Sequence, residues 1–236
     1  MSIKKYIPNF LTLLNLFCGC IALVFVSKSN FEAAFFFVAL GIFFDFFDGF
    51  FARKFNVAGP LGVQLDSLAD MVTSGVVPGF LIYKILSNDY LLGSTSILPY
   101  LGFVITLGAC YRLANFNIDT RQTDTFIGLP TPANTLFFLS LPLISWDQFN
   151  FESINSNYFC YLLLGFCFLS AYVMNAEIPL FSLKIKNFTF SKYKLQIAFV
   201  VCAFLLVVFF KYLGVAITIM LYVILSVFNN LFFSKK

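Results

Sequence analysis

Long apolar runs recur along this chain from one end to the other, and that repetition constrains the fold more than any other feature. A stretch of about 18 or more apolar residues is long enough to cross a bilayer as a helix. Candidate stretches lie at 8–27, 33–52, 62–87, 95–113, 133–146, 157–175, 195–210 and 213–232. With 60% hydrophobic and 11% charged residues, the chain lacks the polar surface that a soluble globule needs. The expected fold is therefore all-α: a polytopic membrane helix bundle of about eight transmembrane helices, forming one domain over 1–236. The fifth stretch is short, so a tilted or re-entrant segment competes there with a full span. Only Lys211 and Tyr212 separate the last two stretches. One helix over both would exceed a hydrocarbon core of about 30 Å almost twofold, so a tight hairpin is expected.

Basic residues orient such a bundle, because lysine and arginine collect in the short cytoplasmic loops. One side receives Lys4, Lys5, Arg53, Lys54, Arg112, Arg121, Lys184, Lys186, Lys192, Lys194, Lys235 and Lys236, and the other only Lys28, Lys84 and Lys211. Both termini are expected in the cytoplasm, with the 53–62 and 112–132 connections on the same side. Basic loops facing anionic membrane lipids account for the net charge of +4, so no nucleic acid partner is called for. Lys4-Lys5 before an apolar run has the outline of a secretory signal. The run is too long for one, however, and Phe17-Cys18-Gly19-Cys20 lacks a small-residue cleavage pattern, so this is read as the first helix.

The six cysteines, at 18, 20, 110, 160, 167 and 202, form no C-x-x-C pair and indicate neither a disulfide framework nor a zinc site. Histidine is absent, which removes the commonest general base and metal ligand. Any chemistry must then run on carboxylates. Four of the 11 acidic residues, Asp45, Asp48, Asp66 and Asp70, fall in two neighbouring apolar stretches. An ionisable group at membrane depth costs about 2.5–3.5 kcal/mol, so four together mark a functional site, whereas one alone is as well explained by snorkelling or capping. Asp45 and Asp48 are spaced i, i+3, and Asp66 and Asp70 i, i+4, so each pair shares a helix face. The short Gly59-Pro60 connection makes the two helix ends neighbours, and the carboxylates can converge. Such a cluster needs protons or hard divalent cations at its centre. Gly49, Ala52 and Gly62 share these faces, where small residues serve helix packing or clear room for a ligand.

Residues 45–70 read DFFDGFFARKFNVAGPLGVQLDSLAD and fit D-x-x-D-G-x-x-A-R-x8-G-x3-D-x3-D throughout. This resembles the signature of the CDP-alcohol phosphotransferase family. The resemblance implies transfer of a phosphatidyl group from CDP-diacylglycerol to an alcohol, with release of CMP, on two divalent cations, Mg²⁺ or Mn²⁺. It implies that Asp45, Asp48, Asp66 and Asp70 ligate metal and that Asp70 also takes the proton from the acceptor hydroxyl. Gly49, Ala52 and Arg53 are then expected to line the CDP site, and Gly62 to keep the helices close. Ile7-Pro8-Asn9-Phe10-Leu11-Thr12 is similar to the family's opening P-N-x-L-T block, which adds Asn9 and Thr12 to the nucleotide side; a plain helix start reads the same way.

The acceptor is a separate question. Tyr111-Arg112-Leu113-Ala114-Asn115-Phe116-Asn117 and Phe126-Ile127-Gly128-Leu129-Pro130-Thr131-Pro132-Ala133 resemble the R-L-A-R-F-N and F-x-G-L-P-x-P blocks of the family's phosphatidylserine synthase branch. The chain departs at Asn115, where that branch carries a second arginine, and at Thr73-Ser74-Gly75, where Ser-Phe-Gly is usual. The resemblance implies L-serine as the acceptor, a homodimer, and an inner (cytoplasmic) membrane enzyme whose site faces the cytoplasm. Serine carries a carboxylate, and Arg112 is the cation expected to grip it; as a topological anchor it needs no such role. Glycerol 3-phosphate is the competing acceptor. Intramembrane aspartates also build transporters, but the motif has no second copy in residues 120–236.

Overall fold

The computed structural model describes residues 6–87, 97–119, 126–144, 156–180 and 194–233. Helix α1 runs Ile7–Ser27, with Pro8 in its first turn, where a missing N–H costs nothing. Helix α2, Phe31–Lys54, is capped by the Asn30 side chain, which accepts from the Ala33 amide at 3.1 Å, and it ends on Arg53 and Lys54, favourable at the negative end of a helix dipole. Helix α3, Pro60–Asp70, passes into a π-helical segment, Met71–Val76, and then into α4, Val77–Leu86. A 3-10 turn, Leu98–Phe103, leads into α5, Val104–Ile118. Thus the fourth apolar element lies a few residues later than its hydropathy suggests, and Arg112 sits inside α5 instead of at its end.

A short strand β1, Phe126–Ile127, precedes α6, Thr131–Ser140, and a 3-10 turn, Leu141–Leu143. Helix α7 is Ser156–Asn175, β2 is Pro179–Leu180, and α8 spans Lys194–Phe233. Strands β1 and β2 pair antiparallel, Phe126 opposite Leu180 and Ile127 opposite Pro179. This two-stranded ribbon is absent from the sequence reading, since each arm is too short to leave a period. It returns the chain after α7 to the place it left before α6.

Among the described residues, six helices are long and apolar enough to cross a membrane, the last of them within α8. Lys211 breaks α8 with φ 50° and ψ −121°, near the values at the first central residue of a type II′ turn. The rings of Phe199 and Tyr222 lie 5.6 Å apart. Along a straight helix they would be separated by about 35 Å, so the two arms fold back on each other. A side chain at Gly214 would collide with the Leu206 carbonyl, which is why that approach needs glycine. The α6 helix with its 3-10 turn is shorter than a span.

The π-helical segment has a local cause. Pro78 brings no N–H to the Ser74 carbonyl four residues before it. The Thr135 hydroxyl on α6 donates to that oxygen at 2.7 Å, and Thr106 on α5 donates to the Gly75 carbonyl at 2.9 Å. One neighbouring helix thus supplies a donor for the carbonyl that Pro78 cannot reach, as lipid cannot, and a second bonds the next carbonyl. Helix α1 approaches the same segment closely: a β-carbon on Gly19 would strike the Thr73 hydroxyl, and one on Gly41 of α2 would come within 2.8 Å of Asn15 Oδ1. These contacts draw α1, α2 and the α3 helix together where the aspartates sit.

Candidate active site and metal centre

One ligand oxygen from each of Asp45, Asp48 and Asp66 can be chosen so that all three lie within 4.8 Å of one another. The i, i+3 pair on α2 faces the α3 helix across the Gly59-Pro60 turn, as spacing requires. Three carboxylates so close repel strongly unless a cation lies between them or a proton is shared. Oxygen donors in this number suit a hard divalent ion, so the residues fit the metal centre that the sequence implies.

Asp70 is held differently. It is 9% exposed, close enough to Asp45 and Asp66 to interact with their charge, and its Oδ1 accepts a hydrogen bond of 3.0 Å from Asn15 Nδ2. It lies outside the tight three-carboxylate group. Asn15 is fully buried, and its backbone carbonyl accepts from the Thr73 hydroxyl at 3.1 Å. One helical turn earlier, Thr12 donates to Asp48 Oδ2 at 2.5 Å. Helix α1 therefore orients one aspartate on each of the other two helices. Thr12, expected to contact the nucleotide, borders the cavity beside Asp48, and its hydroxyl is engaged with that carboxylate. Sequence reasoning missed Asn15; the signal was a polar stripe, Asn9, Thr12 and Asn15 at three-residue spacing in an otherwise apolar helix.

A cavity of about 190 Å³ adjoins the cluster, lined by Asn9, Thr12, Asp48, Gly49, Ala52, Arg53, Gly62 and Asp66, with the 57–59 turn closing one end. Every residue expected on the nucleotide side thus borders one space. A β-carbon at Gly49 would sit 3.4 Å from the Arg53 guanidinium, and one at Gly62 3.6 Å from Asn9 Oδ1. Gly62 therefore lies beside α1 and also borders the cavity.

Arg112 borders a second cavity, of about 350 Å³, together with Asn115, Asp119, Asn175 and Glu177. It is 7% exposed, and donates from Nε to the Leu129 carbonyl at 2.6 Å and from Nη2 to the Gly128 carbonyl at 3.2 Å. Gly128 has φ 74°, which turns the chain so that both carbonyls meet the guanidinium. The two sequence blocks that resemble the serine branch are therefore bonded to each other. Nearby, Asn117 on α5 donates to Ser67 on α3 at 2.9 Å, which places this end of α5 on the aspartates' side of the bundle.

Residues 5–169 match the family described as CDP-alcohol phosphatidyltransferase. The chain belongs to that family. The match includes residues 45–70, which hold the four aspartates, Gly49, Ala52, Gly62 and Arg53, and it extends over α1 to most of α7. Among similar proteins, the CDP-diacylglycerol–serine O-phosphatidyltransferase of Helicobacter pylori strain J99 is 31% identical over 97% of this chain and 92% of its own length. The protein of the same name from Bacillus subtilis is 39% identical over 54% of this chain and 70% of its own length. Its namesake in Saccharomyces cerevisiae is 32% identical over 60% of this chain and 55% of the yeast protein.

Proposed function

We propose that this chain transfers the phosphatidyl group of CDP-diacylglycerol to the hydroxyl of L-serine, giving phosphatidylserine and CMP. The observation that carries the reading is the convergence of Asp45, Asp48 and Asp66 beside the cavity bordered by Asn9, Gly49, Ala52 and Arg53. Two divalent ions, Mg²⁺ or Mn²⁺, when bound there offset the diphosphate charge and stabilise the attacking and leaving oxygens. Asp45, Asp48 and Asp66 hold them, with Asp70 as a further ligand. Thr12 fixes Asp48 and Asn15 fixes Asp70. Arg53 contacts phosphate, and the side-chain-free edge of Gly49 admits the nucleotide. The serine hydroxyl attacks the phosphatidyl phosphorus as its proton passes to Asp70. The bond from phosphorus to the CMP oxygen breaks, and CMP leaves with that electron pair.

Serine as acceptor is supported by the name shared by relatives that match nearly the whole chain and by the composition of the Arg112 cavity. A guanidinium with Asp119 and Glu177 around one space suits a zwitterion, whereas a phosphate monoester would meet two carboxylates. Arg112 takes the serine carboxylate, its plane fixed by the Gly128 and Leu129 carbonyls.

The reading places the chain in the inner (cytoplasmic) membrane with eight crossings, both termini and the site in the cytoplasm, as a homodimer. The β1–β2 pairing supports the count, because a chain that leaves and re-enters one face around α7 must also cross between β1 and α7. The hydrogen bond from Tyr212 to Glu32 puts the α8 turn beside the start of α2, and that from Asn230 to the Pro179 carbonyl puts the end of α8 beside the ribbon. The test offers serine, glycerol 3-phosphate and inositol in turn to the purified protein with CDP-diacylglycerol and Mg²⁺ or Mn²⁺. Phosphatidylserine with equimolar CMP is expected only with serine; product from glycerol 3-phosphate alone would move the assignment to the competing acceptor.

A further inference from the structure

An apolar cavity of about 250 Å³ lies between α6, α7 and the second arm of α8, on the face of α6 away from the aspartates. Thr131, Thr135 and Phe138 turn one stripe of α6 inward, with Thr135 bonded to the Ser74 carbonyl; Asn134 and Phe137 lie on the adjacent stripe and line the cavity. Its other walls include Leu169, Met220 and Ile224, each about half or more exposed, so the space opens towards the lipid side of the bundle. It exceeds the roughly 150 Å³ that suffices for a benzene ring in a protein core.

One polar group contradicts this apolar setting. Asn134 is 1% exposed, and its Nδ2 has no hydrogen-bond partner among the described residues. Ser170, the other polar side chain on the wall, donates to the Cys167 carbonyl instead. A buried amide N–H₂ without an acceptor is destabilising, and a hydrocarbon chain alone leaves that cost standing. The missing partner is an acceptor on an otherwise apolar molecule. Asn134 lies in the first turns of α6, close behind Leu129, whose carbonyl Arg112 holds, so it is at the polar end of the cavity.

We propose that this cavity binds one acyl chain of a bilayer glycerophospholipid, whose ester carbonyl accepts from Asn134 Nδ2. The position is where an ester group joins the apolar tail to the headgroup region. The occupant is a bilayer lipid and not the reacting CDP-lipid, because α6 stands between this cavity and the aspartates. It fills the outer side of the same helix that steadies the π-helical segment after Asp70.

The test uses the full chain in detergent and two probes, dioleoyl phosphatidylglycerol and its diether analogue, which lacks the carbonyls. Native mass spectrometry reads lipids retained per protomer, and thermal unfolding reads the stabilisation. The wild type is expected to bind the diester about two- to tenfold more tightly than the diether, the range for one neutral hydrogen bond. Asn134→Leu should abolish that preference, and Ile224→Trp, which fills the mouth, should lower retention of both lipids. Equal binding of diester and diether by the wild type overturns the proposal, as does an unchanged preference in Asn134→Leu. A raised KM for CDP-diacylglycerol in either variant, with no change in retained phosphatidylglycerol, would assign the cavity to the substrate and refute a bilayer lipid. Should Asn134→Leu fail to fold, the diester-to-diether ratio of the wild type and the retention by Ile224→Trp still decide the matter.

Discussion

Thr12 and Asn15 show how a site made of aspartates depends on neutral neighbours. Each donates to one carboxylate, on α2 and on α3, so one carboxylate oxygen has a fixed direction before any cation arrives. Thr12→Val removes the donor to Asp48 at nearly constant volume. It is expected to raise the Mg²⁺ or Mn²⁺ concentration for half-maximal activity about 10- to 100-fold, the usual effect of losing a group that orients a metal ligand. A metal titration of the variant checks this, and an unshifted midpoint would remove Thr12 from that role. Arg112 makes a complementary case. Lysine carries the same charge but cannot span the Gly128 and Leu129 carbonyls while facing the cavity. Arg112→Lys is expected to raise the serine KM about 10- to 150-fold, equivalent to roughly 1.5–3 kcal/mol, with the CDP-lipid KM nearly unchanged. Equal changes in both constants would reduce Arg112 to a structural post. At this scale the signature residues were legible because fixed spacing put them on shared faces. For Asn15 the polar stripe was legible but its partner was not, since the contact with Asp70 spans 55 positions of sequence.

Among elements, the α3 helix is the least regular and the most consequential. Its π-helical segment begins directly after Asp70 and is steadied by hydroxyls from α5 and α6. Thr135→Val strands the Ser74 carbonyl and is expected to destabilise the protein by about 1–3 kcal/mol. In a Pro78→Ala background, which returns an N–H to the ladder, the same change should cost clearly less; a double-mutant cycle in thermal unfolding reads the coupling. Additive costs would refute the account of why the segment is π-helical. No hydropathy pattern announces that segment, because a proline, a serine and two distant threonines produce it jointly. The α8 hairpin was legible from length alone: the apolar run is too long for one span, and Lys211 interrupts it. Lys211 pays for the turn with a positive φ. Lys211→Gly should therefore raise stability by about 1 kcal/mol, and a fall would indicate that the turn is unstrained.

For the whole molecule, the twelve-to-three division of basic residues predicts that the turn holding Asn56 faces the cytoplasm and the turn at Lys211 the opposite side. Single cysteines at those positions in a background without exposed cysteines should react with a membrane-impermeant reagent from opposite sides; labelling from the same side would contradict eight crossings. Thr123, on the expected cytoplasmic connection after α5, lies outside the described residues, as do Lys4, Lys5, Arg121, Lys184, Lys186, Lys192, Lys235 and Lys236. Fold class and site were legible because a membrane restricts the backbone to helices and makes a buried charge conspicuous. The ribbon and the Arg112 cavity were not, since they arise where four segments distant in sequence meet at one end of the bundle. In the proposed function the aspartate cluster, with Asp70 as proton acceptor, performs transfer to serine. Its most direct measurement is phosphatidylserine formed from CDP-diacylglycerol and labelled serine by the wild type and by Asp70→Asn at saturating Mg²⁺ or Mn²⁺. Asp70→Asn should lose activity by orders of magnitude while unfolding at or above the wild-type temperature, because one buried charge is gone. Near-normal turnover by Asp70→Asn would contradict it.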